Sequence, residues 1–302
     1  MSLIFLFIDG VGLGKEQPEN PFTDRVYESF YKITDGQPFT DKARTIQNGR
    51  TFFTSIDACL GVDGLPQSGT GQATLFSGVN TSRKLGRHFG PYPHSKIRKY
   101  LRETSIFQKF QKANAGTYFI NAFPDVFFEY AMMKNRWSSI TYMAREAGLK
   151  LNSVNEVLEK KAITAEITQN IWRSRFSNQV PVITEQEAAN RLVQAADKYK
   201  LVLMEYYLTD KAGHSRDMKQ SHEVLGRLNR FLLGLLKSAE EKSHTVIMTS
   251  DHGNLEDLSV KTHTRNKVPF FISGSDSHHF YDIQSIQDVT PMCLKWYGST
   301  LG

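Results

Sequence analysis

The chain is predicted to fold as an α/β protein, a three-layer α/β/α arrangement with a mostly parallel sheet and at most a small cap. Short, almost uninterrupted apolar runs recur along it, amphipathic helical stretches separate them, and an acid follows several of the runs. Near-continuous apolar character marks strands covered on both faces, and strand–helix alternation stacks helices on both sides of one sheet. At 302 residues, one large domain over 1–302 accommodates the pattern. Lid elements are expected within 84–112 and 136–175.

The first run, residues 3–8, lacks a basic region before it and a small-residue cleavage site after it. It passes directly into Asp9 and Gly10, and therefore reads as a buried strand rather than a signal peptide. Further strands are predicted at 117–120, 201–206, 245–249 and 268–272. Thr184, Glu185, Gln186 and Glu187 form a capping-box pattern, after which Ala188, Leu192, Val193 and Ala196 keep helical spacing. Leu225, Leu228, Leu232, Leu235 and Leu236 line one face of a second helix. A last helix starts near Asp288 and carries Met292, Leu294 and Trp296.

Composition narrows the function. No apolar stretch reaches the ~18 residues that span a bilayer, so no membrane partner is expected. Cys59 and Cys293 make neither a disulfide framework nor a metal-binding spacing, which points to a reducing cytoplasm. The formal charge of +6 is only mildly basic, and no nucleic-acid-binding signature accompanies it. The basic charge gathers in one place. Between residues 64 and 102 there is no Asp or Glu, while Arg83, Lys84, Arg87, Lys96, Arg98, Lys99 and Arg102 are present. Such a run is ordinarily a solvated face. Its start beside Ser68 makes Arg83 and Arg87 the candidates for gathering substrate phosphate, a task suited to the guanidinium fork.

The candidate ligands are Asp9, Ser68, Asp210, His214, Asp251, His252 and His263. In open α/β sheets ligands bind outside the carboxyl ends of strands, where Asp9, Asp210 and Asp251 all fall. Singly each has a plain alternative: a turn at Asp9, a surface pair at Asp210 and His214, a surface histidine at His263. Ser68 lies in a glycine-rich turn entering a helix, a setting for an anion or merely a helix cap. Together, carboxylates and imidazoles converging with one hydroxyl suggest two divalent metals sharing a serine nucleophile, since a metal activates a hydroxyl without a separate base.

The motifs Asp9-Gly10, Ser68 to Gly71, Asp210 to Ser215, Asp251 to Asn254 and His263 to Phe270 resemble the alkaline phosphatase superfamily. The likeness is greatest to the metalloenzyme branch of cofactor-independent phosphoglycerate mutases and phosphopentomutases. The resemblance implies an alkaline phosphatase-like fold and one metal on Asp9, Ser68, Asp251 and His252, with Ser68 the nucleophile. It implies a second metal on Asp210, His214 and His263. Two departures stand out. Many mutases of this branch have histidine where this chain has Gln72, four residues after the nucleophile. They also carry a large substrate domain between the nucleophile and the Asp-x-x-x-His motif, whereas only 142 positions separate Ser68 from Asp210 here.

The expected activity is therefore two-metal phosphoryl transfer on a phosphorylated small molecule through a phosphoserine, with Mn or Zn preferred and Mg suited to the more oxygen-rich site. The short insert favours a phosphatase; the family resemblance keeps a phosphomutase as the alternative. A sulfatase would need Cys/Ser-x-Pro-x-Arg, which Ser68-Gly69-Thr70 does not match. A catalytically inactive basic binding module is the non-enzyme alternative, disfavoured by the complete ligand set.

Overall fold

The computed structural model describes residues 1–300. Its main sheet has seven strands in the order β2-β3-β9-β8-β1-β7-β4. These are β1 (Leu3–Ile8), β2 (Ile46–Gln47), β3 (Thr51–Ile56), β4 (Thr117–Phe119), β7 (Leu201–Tyr206), β8 (Thr245–Thr249) and β9 (Val268–Ser273). The two intervening strands, β5 (Asn121–Ala122) and β6 (Ile163–Thr164), pair with each other in a separate small sheet. β8, β1, β7 and β4 run parallel, and β9 joins antiparallel between β8 and β3.

Every residue of β1, β7 and β8 is buried, as strands with helices on both faces require. Alternation sorts their side chains into two cores. Ile4, Leu6 and Ile8 face the Glu185–Ala196 and Met218–Glu241 helices through Leu192, Leu228 and Phe231. Leu3, Phe5 and Phe7 face the opposite layer through Phe76, Leu101, Phe107, Ile140 and Trp296. The Glu185–Ala196 helix starts with the capping box predicted for it, Thr184 and Glu187 bonding reciprocally. The final helix spans Val289–Ser299.

Two features escaped prediction. The β2–β3 hairpin extends the sheet beyond β9; its Thr51-to-Ile56 run alternates weakly and looks like loop. A minor core of Ala122, Val157, Ala162, Trp172 and Val180 forms beside β5 and β6, each too short to show a period. No helix among the described residues is long and apolar enough to cross a membrane.

Candidate metal centre

Strand order builds the centre. β1 lies between β7 and β8 with Ile8 paired to Tyr206 and Phe7 to Thr249, so the chain leaves all three strands at the same edge. Asp9 follows β1 directly. The helix after β7, Leu208–Ser215, presents Asp210 and His214 one turn apart. Asp251 and His252 follow β8 and are wholly buried. His263 arrives on the loop before β9, which is latched to the β8 loop by a bridge between Gly253 and Thr264. Only glycine fits at 253, because a Cβ there would meet Glu256 Oε1 and Thr264 Oγ1, each at 2.2 Å. Ser68 opens the buried Ser68–Ser77 helix.

All seven sequence candidates converge as two groups. Asp9, Asp251 and His252 offer ligand atoms within 4.8 Å of one another, and so do Asp210, His214 and His263. His252 Nε2 lies 3.4 Å from Asp9 Oδ1, 3.5 Å from Asp251 Oδ2 and 2.9 Å from Ser68 Oγ. In the second group His263 Nε2 is 3.6 Å from Asp210 Oδ1 and 3.2 Å from His214 Nε2. The groups meet where the His252 and His263 rings stack, centroids 3.8 Å apart. The outer ring nitrogens are held by backbone: His214 Nδ1 is 2.9 Å from the Lys261 carbonyl and His263 Nδ1 2.7 Å from that of Pro66. Such anchoring fixes each ring with Nε2 turned inward, as metal-ligating histidines require.

Charge in the first group is badly balanced for a protein alone. Burial, then the Asp251 and Asp210 carboxylates, push Asp9 well above the usual carboxylate range. Burial and the Asp210 charge push Asp251 up to about 8. Burial, with the neighbouring His263, drives His252 down to about 3, keeping its imidazole neutral. Asp9 Oδ1 and both Asp251 carboxylate oxygens are buried without a hydrogen-bond partner among the described residues. Unpaired buried carboxylates are costly, and a divalent cation satisfies all three oxygens while requiring the neutral imidazole already present. The residues therefore fit a resident metal. In the second group burial opposes ionisation of Asp210, but hydrogen bonds from His214 and Asn254 and the His252 ring hold it down at about 2. Asp210 in turn raises His214.

Several contributors were given no role from the sequence. Gln72 donates from Nε2 to Asp9 Oδ2 at 3.2 Å. Asn254 Nδ2 holds Asp210 Oδ1 at 2.6 Å. Glu256, fully buried, accepts the amides of Gly12 and Asn254 on Oε2, both at 2.8 Å. Its Oε1 accepts the Thr264 hydroxyl and Asn266 Nδ2. Glu256 thereby ties together the loops after β1, after β8 and before β9. Glu205, at the end of β7, is pushed up to about 7 by burial and adds to the charge around Asp9; an acid inside the apolar run Leu-Val-Leu-Met-Glu-Tyr was the signal that could have revealed it.

The proposed phosphate-gathering arginines separate. The Arg83 guanidinium sits against Gly61, whereas Arg87 lines a cavity of about 530 Å³ with Gln67, Phe89 and Gly90, next to Ser68 in the chain. A third cluster, Asp276, His278 and His279, lies beyond the end of antiparallel β9, at the sheet edge opposite the centre.

A family model described as the metalloenzyme superfamily matches residues 1–298. The chain belongs to this superfamily. Among relatives in sequence, a 2,3-bisphosphoglycerate-independent phosphoglycerate mutase of Clostridium botulinum is 24% identical over 124 residues, 38% of this chain and 24% of the relative. One of Malacoplasma penetrans is 26% identical over 127 residues, 40% of this chain and 25% of the relative. The matched stretch thus spans about a quarter of these curated relatives. Among solved structures, the alkaline phosphatase of the Antarctic bacterium TAB5 superposes with a TM-score of 0.57 at 14% identity, covering 97% of each chain. A Leishmania mexicana phosphoglycerate mutase gives 0.51 at 12% identity over 96% of this chain and 94% of that one. At these identities the superpositions establish the metalloenzyme's fold, which is alkaline phosphatase-like.

Proposed function

We propose that this metalloenzyme is a two-metal phosphohydrolase that cleaves a phosphate monoester of a small molecule through a phosphoserine on Ser68. The observation that carries the reading is the placement of Ser68 Oγ 2.9 Å from His252 Nε2, at the start of a glycine-rich helix and against one of two adjoining ligand groups. Asp9, Asp251 and His252, with Ser68, would hold one cation; Asp210, His214 and His263 would hold the other. Bound cations would neutralise the phosphoryl oxygens and lower the pKa of the attacking hydroxyl and water. The mixed oxygen and nitrogen donors suit Mn or Zn, with Mg admissible beside the two carboxylates.

Ser68 Oγ gives up its proton to solvent as it forms the bond to phosphorus, the ester P–O bond breaks, and the leaving oxygen takes a proton from solvent. Water then displaces the serine from the phosphoserine, returning phosphate and free Ser68. The Thr70 and Gly71 amides bond to the Phe89 and Gln67 carbonyls. Among the described residues this leaves the Ser68 and Gly69 amides as the open donors of the first turn, available to phosphoryl charge that would gather on Ser68. Gln72 and Asn254 orient Asp9 and Asp210, and Glu256 holds three of the ligand-bearing loops in register. Water rather than a second substrate hydroxyl is favoured because residues between Ser68 and Asp210 supply β4 and the helices packed under the sheet, among them Leu101, Phe107 and Ile140. The likeness to phosphoglycerate mutases keeps phosphoryl transfer between hydroxyls as the second reading.

The test is release of inorganic phosphate from a panel of phosphomonoesters, phosphodiesters and sugar phosphates by Mn- or Zn-loaded protein. Turnover that disappears in Ser68→Ala supports the reading. Isomerised ester without free phosphate would make it a mutase, and unchanged turnover in Ser68→Ala would remove Ser68 from the mechanism.

A further inference from the structure

The loop at residues 89–92 lies directly on the first turn of the nucleophile helix. Thr70 donates its amide to the Phe89 carbonyl at 2.8 Å, and Phe89 returns its amide to Thr70 Oγ1 at 3.1 Å. A Cβ at Gly69 would stand 2.4 Å from the Tyr92 carbonyl oxygen and 2.6 Å from that of Phe89, so only glycine after Ser68 lets the loop approach this closely. The start of the Ser139–Glu146 helix touches the same residue, Ser139 Oγ lying 3.4 Å from the Gly69 carbonyl.

Each end of this loop carries an aromatic ring with an arginine on it. The Arg87 guanidinium lies 5.6 Å from the centre of the Phe89 ring, and that of Arg136 lies 5.9 Å from the centre of the Tyr92 ring. Both arginines are solvent-exposed, and neither is ion-paired or hydrogen-bonded through its side chain among the described residues. Stacking restrains a guanidinium while leaving its fork of donors open. The Arg87 cavity is also lined by Gln67, next to Ser68, and by Asp63. Between the lining residues Leu65 and Gln67 the chain passes through Pro66, whose carbonyl anchors His263. Two restrained, unpaired guanidiniums therefore stand at the two ends of the loop that packs on Gly69, the residue after Ser68, over and above the charge that two cations would bring to one phosphoryl group.

We infer that Arg87 and Arg136 recognise a second anionic group on the substrate, a carboxylate or another phosphate, so that the preferred ester is doubly functional. The inference rests on the phosphohydrolase reading for its chemistry but concerns recognition alone. Forked donation to a carboxylate or phosphate gives selectivity against an ester ending in a neutral group.

Binding tests it apart from catalysis. Calorimetry on Mn-loaded protein would compare phosphonoacetate, which has a carboxylate beside the phosphoryl analogue, with methylphosphonate, which has none. A preference on the order of 10-fold or more for phosphonoacetate is expected, falling to about 2-fold in Arg87→Gln/Arg136→Gln. Arg136→Lys should fall between, keeping charge but losing the fork. The parallel kinetic comparison is phosphoglycolate against ethyl phosphate, where the double variant should lose its preference chiefly in KM. Equal binding of both phosphonates by the unmodified protein, or an undiminished preference in the double variant, overturns the inference even if phosphate is released. A preference that vanishes in the variant without turnover on any ester would support it and sink the hydrolase reading instead.

Discussion

The two ligand groups share a pattern, carboxylate with imidazole, and differ in their contact with water. Asp251 and His252 are fully buried, while in the other group the His214 side chain is 45% exposed and that of Asp210 18%. The same residue types therefore titrate in opposite directions: burial raises Asp251 to about 8, and hydrogen bonds with a neighbouring ring hold Asp210 at about 2. The buried group is poorly balanced without a cation and the open group is nearly balanced by its own histidine. A cation in the first would satisfy the unpaired Asp9 and Asp251 oxygens; in the second it would compete with an existing His214–Asp210 pair. Ser68, the proposed nucleophile, stands against the first and solvent reaches the second, a division that would suit formation of a phosphoserine on one side and its hydrolysis on the other.

The sharpest way to break this comparison is at Ser68, the proposed nucleophile. Ser68→Ala should retain metal content yet lose turnover by ~10³-fold or more, read as phosphate release beside elemental analysis. A variant that stays active while Thr70→Ala is dead would move the nucleophile by one turn.

The next test separates the groups by stability. Asp251→Asn removes one of the crowded buried carboxylates. Metal-free protein should melt higher than its unmodified counterpart, and metal-loaded protein lower, with one ion fewer per chain. Equal melting of the two metal-free proteins would show that the crowding is relieved without a cation. His263→Ala should also remove one ion, from the open group, with little gain in metal-free stability.

Glu256→Gln is expected to act through its neighbours. It keeps the size of the side chain but replaces an acceptor of four bonds with an amide that accepts at one end only. Metal affinity at both groups should weaken by roughly 10-fold, as disturbance of groups that orient ligands commonly does, and a spectroscopic titration with Co would register it before any assay. The smallest effect is expected in the minor lobe. Burial would raise Glu156, but bonds from Lys150 and from the Ser153 amide and hydroxyl hold it at about 2. A depressed carboxyl stabilises the fold above its unfolded pKa of about 4.5 and loses that contribution as pH falls toward 2. Glu156→Gln should therefore lower the melting temperature at pH 7, with the difference shrinking between pH 4.5 and 2. A difference that stays constant over that range would remove ionisation from the account.

The contrast between the groups also explains what the sequence disclosed. The convergence of Asp9, Ser68, Asp210, His214, Asp251, His252 and His263 was legible only jointly, from the strand-end placement of the three acids and from motifs that resemble a known superfamily, since singly each had a plain alternative. The three layers were legible more directly: an apolar run such as Leu3 to Ile8 is uninterpretable except as a strand covered on both faces. Glu256 was not, since it has meaning only through Gly12 and Thr264 brought to it from elsewhere; Gln72 stood out only as a departure from histidine, its bond to Asp9 being set by the fold. Arg136 was invisible for the same reason, its place being set by Tyr92 44 positions earlier. The unequal wetness of the two groups was equally beyond reach, because it depends on which loop covers which histidine.

The central position of β1 has a consequence for how the molecule is made. Asp9 accepts through its carbonyl from Thr209, 200 positions away, and Val11 donates to Ser250 across 239. Pairings this remote in sequence close late and slowly. Until β7 and β8 arrive, β1 is an apolar ribbon with both edges open, the kind of segment that invites mispairing between chains. A growing chain would stay in that state until β7 and β8 are made, and capacity to hold metal would appear only once His263 has followed β8, as the signature of a completed sheet.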